Sequence, residues 1–355
     1  MHKNEIFKIL VSIITVVILI FGVFIINFLH KKTHRPTLRV FSCGNYIDKS
    51  IVINFEKEYK IKVIYQTFDS NENMYTKFKL SSLAYDILIP SDYTVDRLIQ
   101  ENMLLELDKS QITNFKNIDS EYLNRSFDDK NRYSVPYLTG TLGILYNKKL
   151  ITDKIDSFSS LFQEKYKKKI FMLDSERDSI GIALKCLGYS MNSENISEIN
   201  RAIELLQKQK PLVLAYISDD IRDKMINNEA YMSLCYSGDA IFAMKENSDL
   251  EYIVPKEGSN AWIDSMVISK FTKLPIQAHT FINYMCRDDV AFKNSEFTGH
   301  ASPNTKIKND YSNKYHKYLY ITNSNNENYL YVGPELQKIY SNGWLNVKLD
   351  LLRNS

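Results

Sequence analysis

The stretch that decides the fold, residues 38–90, reads LRVFSCGNYIDKSIVINFEKEYKIKVIYQTFDSNENMYTKFKLSSLAYDILIP. Short runs of β-branched and aromatic residues alternate in it with amphipathic helical patterns, in the order 38–41, 48–60, 62–68, 70–80 and 85–90. This βαβαβ order predicts a mostly parallel sheet with helices on both of its faces. The fold class is therefore α/β.

The same alternation continues toward the C-terminus. A further helix is predicted to start near Thr94, and strand and helix patterns then follow at 143–147, 169–173, 179–188, 197–208, 211–216, 232–237 and 239–246. The Asn-rich stretch TNSNNENY at 322–329 is typical of a surface loop. A chain of 355 residues is long enough for about two domains.

The N-terminus contains an apolar run that is long enough to cross a membrane. Residues 9–29 are 21 consecutive positions without a charge, and a helix of about 20 apolar residues spans the bilayer core. A cleaved signal peptide has a shorter apolar run that ends in small residues, whereas this run ends in Asn27, Phe28 and Leu29. We therefore favour an uncleaved membrane anchor over a cleaved signal for residues 1–35.

The charge balance argues against nucleic acid as a ligand. The formal net charge is +3, but residues 1–39 hold six Lys and Arg against one Glu, so residues 40–355 carry a net charge of −2. Domains that bind nucleic acid are basic. The sequence also lacks the patterns CxxC, HExxH, GxSxG and GxxxxGK[ST]. We expect no enzymatic activity, no cofactor and no metal site.

Five segments that follow predicted strands together supply aromatic rings, carboxylates and hydroxyls. They are residues 43–46, 90–93, 174–178, 236–239 and 262–265. In open α/β sheets a ligand binds outside the carboxyl ends of the strands, so these segments form the candidate site. Aromatic faces attract organic ammonium groups, and a carboxylate gives an ammonium a charged hydrogen-bond partner. The sequence therefore predicts a pocket for a cationic amine.

Five stretches in their order along the chain resemble the spermidine/putrescine-binding proteins of bacterial polyamine ABC importers, the PotD family. The stretches are KVIYQTFDSNENMYTKFK (62–79), YDILIPSDYTVDRL (85–98), LDKSQITNFKNID (107–119), YSVPYLTGT (133–141) and VPKEGSNAWIDSMVI (254–268). Each motif is weak alone, but the order and spacing are specific. The resemblance covers about Leu38 to Tyr340.

This resemblance implies a two-lobed periplasmic-binding-protein type II fold, with a mostly parallel sheet and flanking helices in each lobe. The apolar run of residues 9–29 places one N-terminal transmembrane helix before them. The lobes are expected to be joined by strands near 137–142 and 259–263, with the ligand cleft between them. Carried onto this chain, the implied boundaries are 1–35 for the anchor or uncleaved signal, 36–140 plus 263–309 for lobe one, and 141–262 plus 310–355 for lobe two.

The resemblance also implies the binding residues, position by position. Matches to the family pocket, or residues that stand in its positions, are Tyr46, Ser91, Tyr93, Asp178, Ser218, Tyr236, Trp262 and Asp264. Cys43 replaces a family Trp, and Ser175 falls where the family has a carboxylate, which Asp174 or Glu176 beside it could supply. No counterpart of the C-terminal family Gln is clear, because Leu330 stands there.

The expected function is an extracytoplasmic solute-binding protein that captures a polyamine, putrescine or spermidine, and delivers it to the permease of an ABC transporter. We expect a monomer on the outer face of the cytoplasmic membrane, held there by the N-terminal helix. Lys31, Lys32 and Arg35 after the apolar run favour the opposite orientation, so the location follows from the resemblance. The alternatives are a binding protein for another solute on this fold, and an adhesin or sensor ectodomain without transport.

Overall fold

The structure, a computed structural model, describes residues 8, 13–23, 35–217, 220–310, 314–321 and 323–349. Its strands are β1 (Thr37–Cys43), β2 (Lys62–Phe68), β3 (Ile87–Leu88), β4 (Ser134–Asn147), β5 (Ile170–Leu173), β6 (Val213–Ile217), β7 (Met232–Tyr236), β8 (Leu250–Ile253) and β9 (Ala261–Ile268). The predicted strand at 62–68 has the bounds that the structure gives to β2.

The α-helices alternate with these strands and cover both faces of the sheet. They are α1 (Lys49–Tyr59), α2 (Asn71–Leu80), α3 (Asp92–Gln100), α4 (Glu176–Cys186), α5 (Ile196–Gln209), α6 (Ile221–Ile226), α7 (Ser237–Glu246), α8 (Pro275–Met285), α9 (Asp288–Thr298), α10 (Thr305–Lys308), α11 (His316–Leu319) and α12 (Gly333–Leu349). Side-chain caps define several starts: Asp48 accepts a hydrogen bond from the Ser50 N–H at α1, and Ser70 accepts one from Asn73 at α2.

The strand order is β2-β1-β3-β9-β4-β7-β5-β6, with β8 paired to β4. The outer pairs are parallel, as predicted, but β9 runs antiparallel to β3 and β4, and β4 runs antiparallel to β7 and β8. The prediction of a mostly parallel sheet is thus wrong for its centre. The reason is that the two central strands, β4 and β9, run in opposite directions to each other and to their other neighbours.

Strand β4 belongs to both halves. Its first part, from Ser134 to Thr141, pairs with β9, and its second part, from Leu142 to Tyr146, pairs with β7. We call the half with β1, β2, β3 and β9 lobe one, and the half with β5, β6, β7 and β8 lobe two. All but one of the 14 residues of β4 are buried, which is typical of a strand covered on both faces.

Each lobe has its own apolar core. In lobe one, Leu38 and Val40 pack with α1 and α8 on one face of the sheet, whereas Phe41 packs with α2 on the other. This alternation follows from the period of two in a β-strand. In lobe two, the sheet packs against α4 and α5, and Trp344 of α12 joins the same core.

The Asn-rich stretch pairs with the start of β9, where the sequence predicts only a surface loop. The Glu327 N–H donates to the Ser259 carbonyl at 2.8 Å, and the Ala261 N–H donates to the Glu327 carbonyl at 2.9 Å. Asn328 follows and donates through Nδ2 to the Ala261 carbonyl. The Asn-rich stretch therefore adds a bridge beside the start of β9, because its backbone finds hydrogen-bond partners there.

The predicted anchor lies mostly outside the described residues. Residues 13–23 form an exposed helix, and the remainder of residues 1–35, apart from Lys8 and Arg35, is outside the described ranges. No helix within the described part of the chain is both long and apolar enough to cross a bilayer.

Replacing Gly143 by Ala should destabilise the protein by at least about 2 kcal/mol, because overpacking where the backbone has no room to yield is strongly unfavourable. A Cβ at Gly143 would lie 2.3 Å from the Ile253 carbonyl oxygen, in the part of β4 that faces β8. Urea unfolding measures the effect. Gly44→Ala, where nothing lies within 4 Å of the new carbon, is the control, and equal midpoints for both variants would contradict this packing.

Candidate ligand-binding cleft

A cleft of about 700 Å³ lies between the lobes at the carboxyl ends of the strands. Eleven of the predicted site residues line it: Cys43, Tyr46, Ser91, Tyr93, Asp174, Ser175, Glu176, Asp178, Tyr236, Trp262 and Asp264. Ser218 lies outside the described residues. The cleft has the size typical of small-molecule sites, and its position agrees with the rule for open α/β sheets.

Asp264 projects from β9 into the cleft and is 5% exposed. Its Oδ1 accepts a hydrogen bond from the Ser91 Oγ at 2.6 Å, and the Tyr46 phenol is a second donor. Burial raises the pKa of this carboxyl to about 6, although both hydrogen bonds favour the charged form. Among the described residues, no Lys or Arg side chain forms an ion pair with it. Within the described ranges, Asp264 is thus a buried acceptor without a cationic partner.

Asp178 occupies the opposite lobe, in the first turn of α4. Its Oδ2 accepts hydrogen bonds from the Ser175 Oγ at 2.7 Å and from the Tyr236 Oη at 2.5 Å. Burial raises its pKa, and these bonds together with the neighbouring Arg177 oppose that shift. The Arg177 guanidinium forms no salt bridge with a described carboxylate, and it packs 4.5 Å from the centre of the Tyr329 ring. The carboxylate of Asp178 therefore stays available to the cleft.

Aromatic rings stand between these two carboxylates. Trp262 meets Tyr236 edge to face, with ring centres 6.2 Å apart, and meets His300 at 5.2 Å. Tyr93 of lobe one meets Tyr329 of lobe two at 6.2 Å, also edge to face. Such rings form walls that suit the hydrocarbon chain and the charge of an organic cation.

The sequence did not indicate His300 or Tyr329 as site residues. Burial lowers the pKa of His300 to about 4, so the ring is neutral at physiological pH. Tyr329 is the last residue of the Asn-rich stretch and lies next to Leu330, at which the expected family Gln is missing. Its place beside Leu330 was the available signal, and only the fold shows that Tyr329 reaches the cleft.

Asp174, Ser175 and Glu176 are the candidates for the position of a third carboxylate, and the first two already have other partners. Asp174 accepts hydrogen bonds from the Trp344 Nε1 at 3.1 Å and from the Lys348 Nζ at 2.8 Å, so its charge is already compensated. Ser175 caps α4 through the Asp178 N–H. Glu176 accepts hydrogen bonds from Gln337 and Ser341 and forms no salt bridge with the Lys and Arg side chains that the structure describes.

Glu176 faces an acid that the sequence did not indicate as a site residue. Burial and the nearby Glu72 of lobe one raise the pKa of Glu176 to about 7. Glu72 accepts a hydrogen bond from the Tyr93 Oη at 2.9 Å. Its helix α2 is remote in sequence from the other site segments, so no local pattern connects Glu72 with them.

The cleft carries a large excess of acidic side chains. Its lining contains nine Asp and Glu residues and three Lys and Arg residues. Two of the three cations are paired with acids of the lining, Lys348 with Asp174 and Arg222 with Asp239. The remaining field is strongly negative and raises the local concentration of cations.

The comparisons with known proteins agree with this geometry. A family model described as bacterial extracellular solute-binding protein matches residues 50–320. The chain belongs to this family. The spermidine/putrescine-binding periplasmic proteins of Salmonella typhimurium and Escherichia coli are 38% and 36% identical to it, over 76% of this chain and 78% of each relative.

Solved structures show the same fold for this solute-binding protein. A putative spermidine/putrescine ABC transporter from Listeria monocytogenes has a TM-score of 0.85 at 40% identity. The spermidine/putrescine ABC transporter substrate-binding protein PotD from Streptococcus pneumoniae has a TM-score of 0.77 at 36% identity. Both comparisons cover 88% of this chain and 99% of the other. The predicted two-lobed α/β fold of substrate-binding proteins is confirmed.

In the empty solute-binding protein, Asp264→Asn should stabilise the fold at pH 8. The carboxyl has a pKa of about 6 when folded and about 3.9 when unfolded, so the folded state binds more protons between these values and loses stability as the pH rises through them. The uncharged amide of the variant does not ionise, so the variant does not lose stability in this way. We expect Tm to rise by about 2 °C or more at pH 8, with a smaller change at pH 4.5.

Differential scanning calorimetry of the ligand-free protein at both pH values measures this effect. Asp96→Asn is the control, because Asp96 lies on α3 outside the cleft lining and accepts a hydrogen bond from the exposed Gln100 amide. A Tm that falls at pH 8 in Asp264→Asn would show that the buried carboxylate stabilises the empty protein, which contradicts this prediction.

Proposed function

We propose that this chain is an extracytoplasmic polyamine-binding protein that delivers its ligand to an ABC importer. The observation that supports this most strongly is the pairing of the unneutralised carboxylates Asp264 and Asp178 with aromatic walls in one interlobe cleft. The names of the relatives agree with it, since those from Salmonella typhimurium and Escherichia coli are called spermidine/putrescine-binding.

In this proposal the two ends of the ligand meet one carboxylate from each lobe. One ammonium group binds Asp264, beside Ser91 and Tyr46, and the other binds Asp178, beside Tyr236. Each forms a charge-assisted hydrogen bond. The ring of Trp262 flanks the aliphatic chain between them. Because the ligand contacts both lobes, its binding favours the closed arrangement of the cleft.

A diamine matches two unneutralised carboxylates best. A third ammonium would need a further partner, because an unpaired buried charge is very unfavourable. Asp174 is not available, since Lys348 neutralises it, which leaves Glu176. We therefore infer a preference for putrescine-like diamines over triamines.

The proposal includes the organisation of the chain. Residues 36–140 with 263–309 form lobe one, residues 141–262 with 310–355 form lobe two, and residues 1–35 anchor a monomer to the outer face of the cytoplasmic membrane. The apolar run of residues 9–29 supports the anchor. The permease partner is inferred from the relatives of solved structure, whose names include the words ABC transporter.

Titration calorimetry of the full chain with putrescine, spermidine, maltose and ferric ion tests the function. We expect putrescine to bind, spermidine to bind more weakly, and the sugar and the metal ion to give no binding heat. Binding of maltose or ferric ion without any binding of polyamines would overturn the proposal. A tenfold preference for spermidine that disappears in Glu176→Gln would instead assign a third ammonium site to Glu176.

Asp264→Asn should weaken putrescine binding by about thirtyfold or more. The substitution keeps the shape and the Ser91 hydrogen bond but removes the charge, and loss of one partner of a buried charge pair costs roughly 2–5 kcal/mol. Calorimetry on the folded variant measures the dissociation constant, with Asp96→Asn as the control. Equal affinity in Asp264→Asn and the parent would remove Asp264 from the site.

Trp262→Ala should weaken binding by more than Trp262→Phe does, because Ala removes both ring burial and cation–π attraction, together on the order of 2 kcal/mol. Trp262 is 5% exposed, so the Ala variant also loses some thermal stability. Affinity is therefore measured below the transition of each variant. If Trp262 served only the core, the folded Ala variant would bind as tightly as the Phe variant.

A further inference from the structure

The proposed binding of a diamine leaves one buried acid of the cleft without a role. Asp92 is the first residue of α3 and is 0% exposed, although it belongs to the cleft lining. Its Oδ1 accepts a hydrogen bond from the Tyr93 N–H at 2.8 Å. Its Oδ2 accepts a long contact of 3.4 Å from the Asn328 Nδ2, and the Ile263 N–H is a further neutral donor to the carboxyl. Among the described residues, no Lys or Arg forms an ion pair with Asp92.

The carboxyls of Asp92 and Asp264 lie close enough to repel each other, since Ser91, the neighbour of Asp92, bonds to Asp264. Burial, with a smaller contribution from Asp264, raises the pKa of Asp92 to about 8. Two carboxylates that share a buried site do not both ionise without a compensating cation.

The surroundings supply no such cation within the described part of the chain. The groups that face the pair are all neutral donors: the Tyr93 and Ile263 N–H groups, the Tyr46 phenol, the Ser91 hydroxyl and the Asn328 side-chain NH₂. Arg125 bonds to the carbonyl oxygen of the Asn328 side chain, at the opposite end of that amide. The hydrogen bonds of the neutral donors stabilise the negative charge of one carboxylate but do not neutralise two.

The position of Asp92 at a helix start does not explain its burial. Acids in the first helical turn ordinarily stay ionised, because the helix dipole favours negative charge there. Asp289 in the first turn of α9 shows this usual case, since Arg287 pairs with it at 2.7 Å and holds its pKa below the ordinary value. Asp92 has a similar place in its helix but is fully buried and forms no ion pair with any Lys or Arg that the structure describes.

We propose that Asp92 and Asp264 hold one proton between them in the empty cleft and release it to solvent when a ligand ammonium binds at Asp264. The cleft then exchanges a proton for an organic cation, and the total charge of the buried pair with its partner is unchanged. In this scheme Asp92 acts through Asp264 and is a positioning residue of the ammonium site. The inference rests on the proposed function, because it needs a cationic ligand.

The exchange predicts how affinity depends on pH. Alkylammonium groups keep their charge up to a pH of about 10, so between pH 6 and 8 the titrating groups belong to the protein. The ligand must displace a proton that is held more firmly at lower pH. Affinity for putrescine therefore rises by at least about tenfold from pH 6 to 8.

Titration calorimetry of the full chain with putrescine at pH 7, in phosphate and in Tris, counts the protons released, because the two buffers differ in ionisation enthalpy. We expect about 0.5–1 proton per ligand for the parent and below about 0.2 for Asp92→Asn, which should still bind. Asp289→Asn is the matched control at a helix start outside the cleft and should release as many protons as the parent.

The outcomes separate this inference from the proposed function. No binding of any polyamine would overturn the function, whereas binding with equal heats in both buffers would overturn only the proton exchange. Proton release that survives in Asp92→Asn and disappears in Glu176→Gln would also overturn it. If Asp92→Asn does not fold, the test uses the parent protein only. A putrescine dissociation constant of the parent that does not change between pH 6 and 8 then contradicts the exchange.

Discussion

The central constraint on this cleft is that its carboxylates are buried between two lobes, and the described part of the chain holds too few cations there to neutralise them. Asp264 comes from lobe one and Asp178 from lobe two, and neither has a Lys or Arg partner in a salt bridge among the described residues. Buried, unpaired charges destabilise a protein unless something compensates them. An organic cation between the lobes provides that compensation, so the instability of the empty cleft and the affinity for the ligand have the same origin.

The topology explains how these residues meet. Strands β4 and β9 pass through the sheet in opposite directions, and the loops at the strand ends of both lobes therefore open onto one space. The segment that pairs with the start of β9 near Asn328 adds Tyr329 to the wall. A rigid core in each lobe holds the rings and acids in place, while the connections between the lobes allow them to approach a ligand from both sides.

Much of this arrangement could be predicted from the sequence, because strands with a period of two and polar residues at their ends are local patterns. The bounds of β2 and the site segments around Asp264 and Asp178 belong to this part. The rest depends on partners far away in the chain. Lys348 neutralises Asp174 across 174 positions, and Asp92 looks like an ordinary helix-start acid until the fold buries it. The antiparallel centre likewise arises from long-range pairing.

A crystal structure of the full chain with putrescine tests most directly whether the two carboxylates bind the two ends of a diamine. We predict one ammonium nitrogen about 2.7–2.9 Å from an Asp264 carboxylate oxygen and the other at a similar distance from Asp178, the range of charge-assisted hydrogen bonds. The Trp262 ring should lie against the carbon chain. Putrescine bound in the cleft with neither nitrogen near these two carboxylates would contradict this mode of binding.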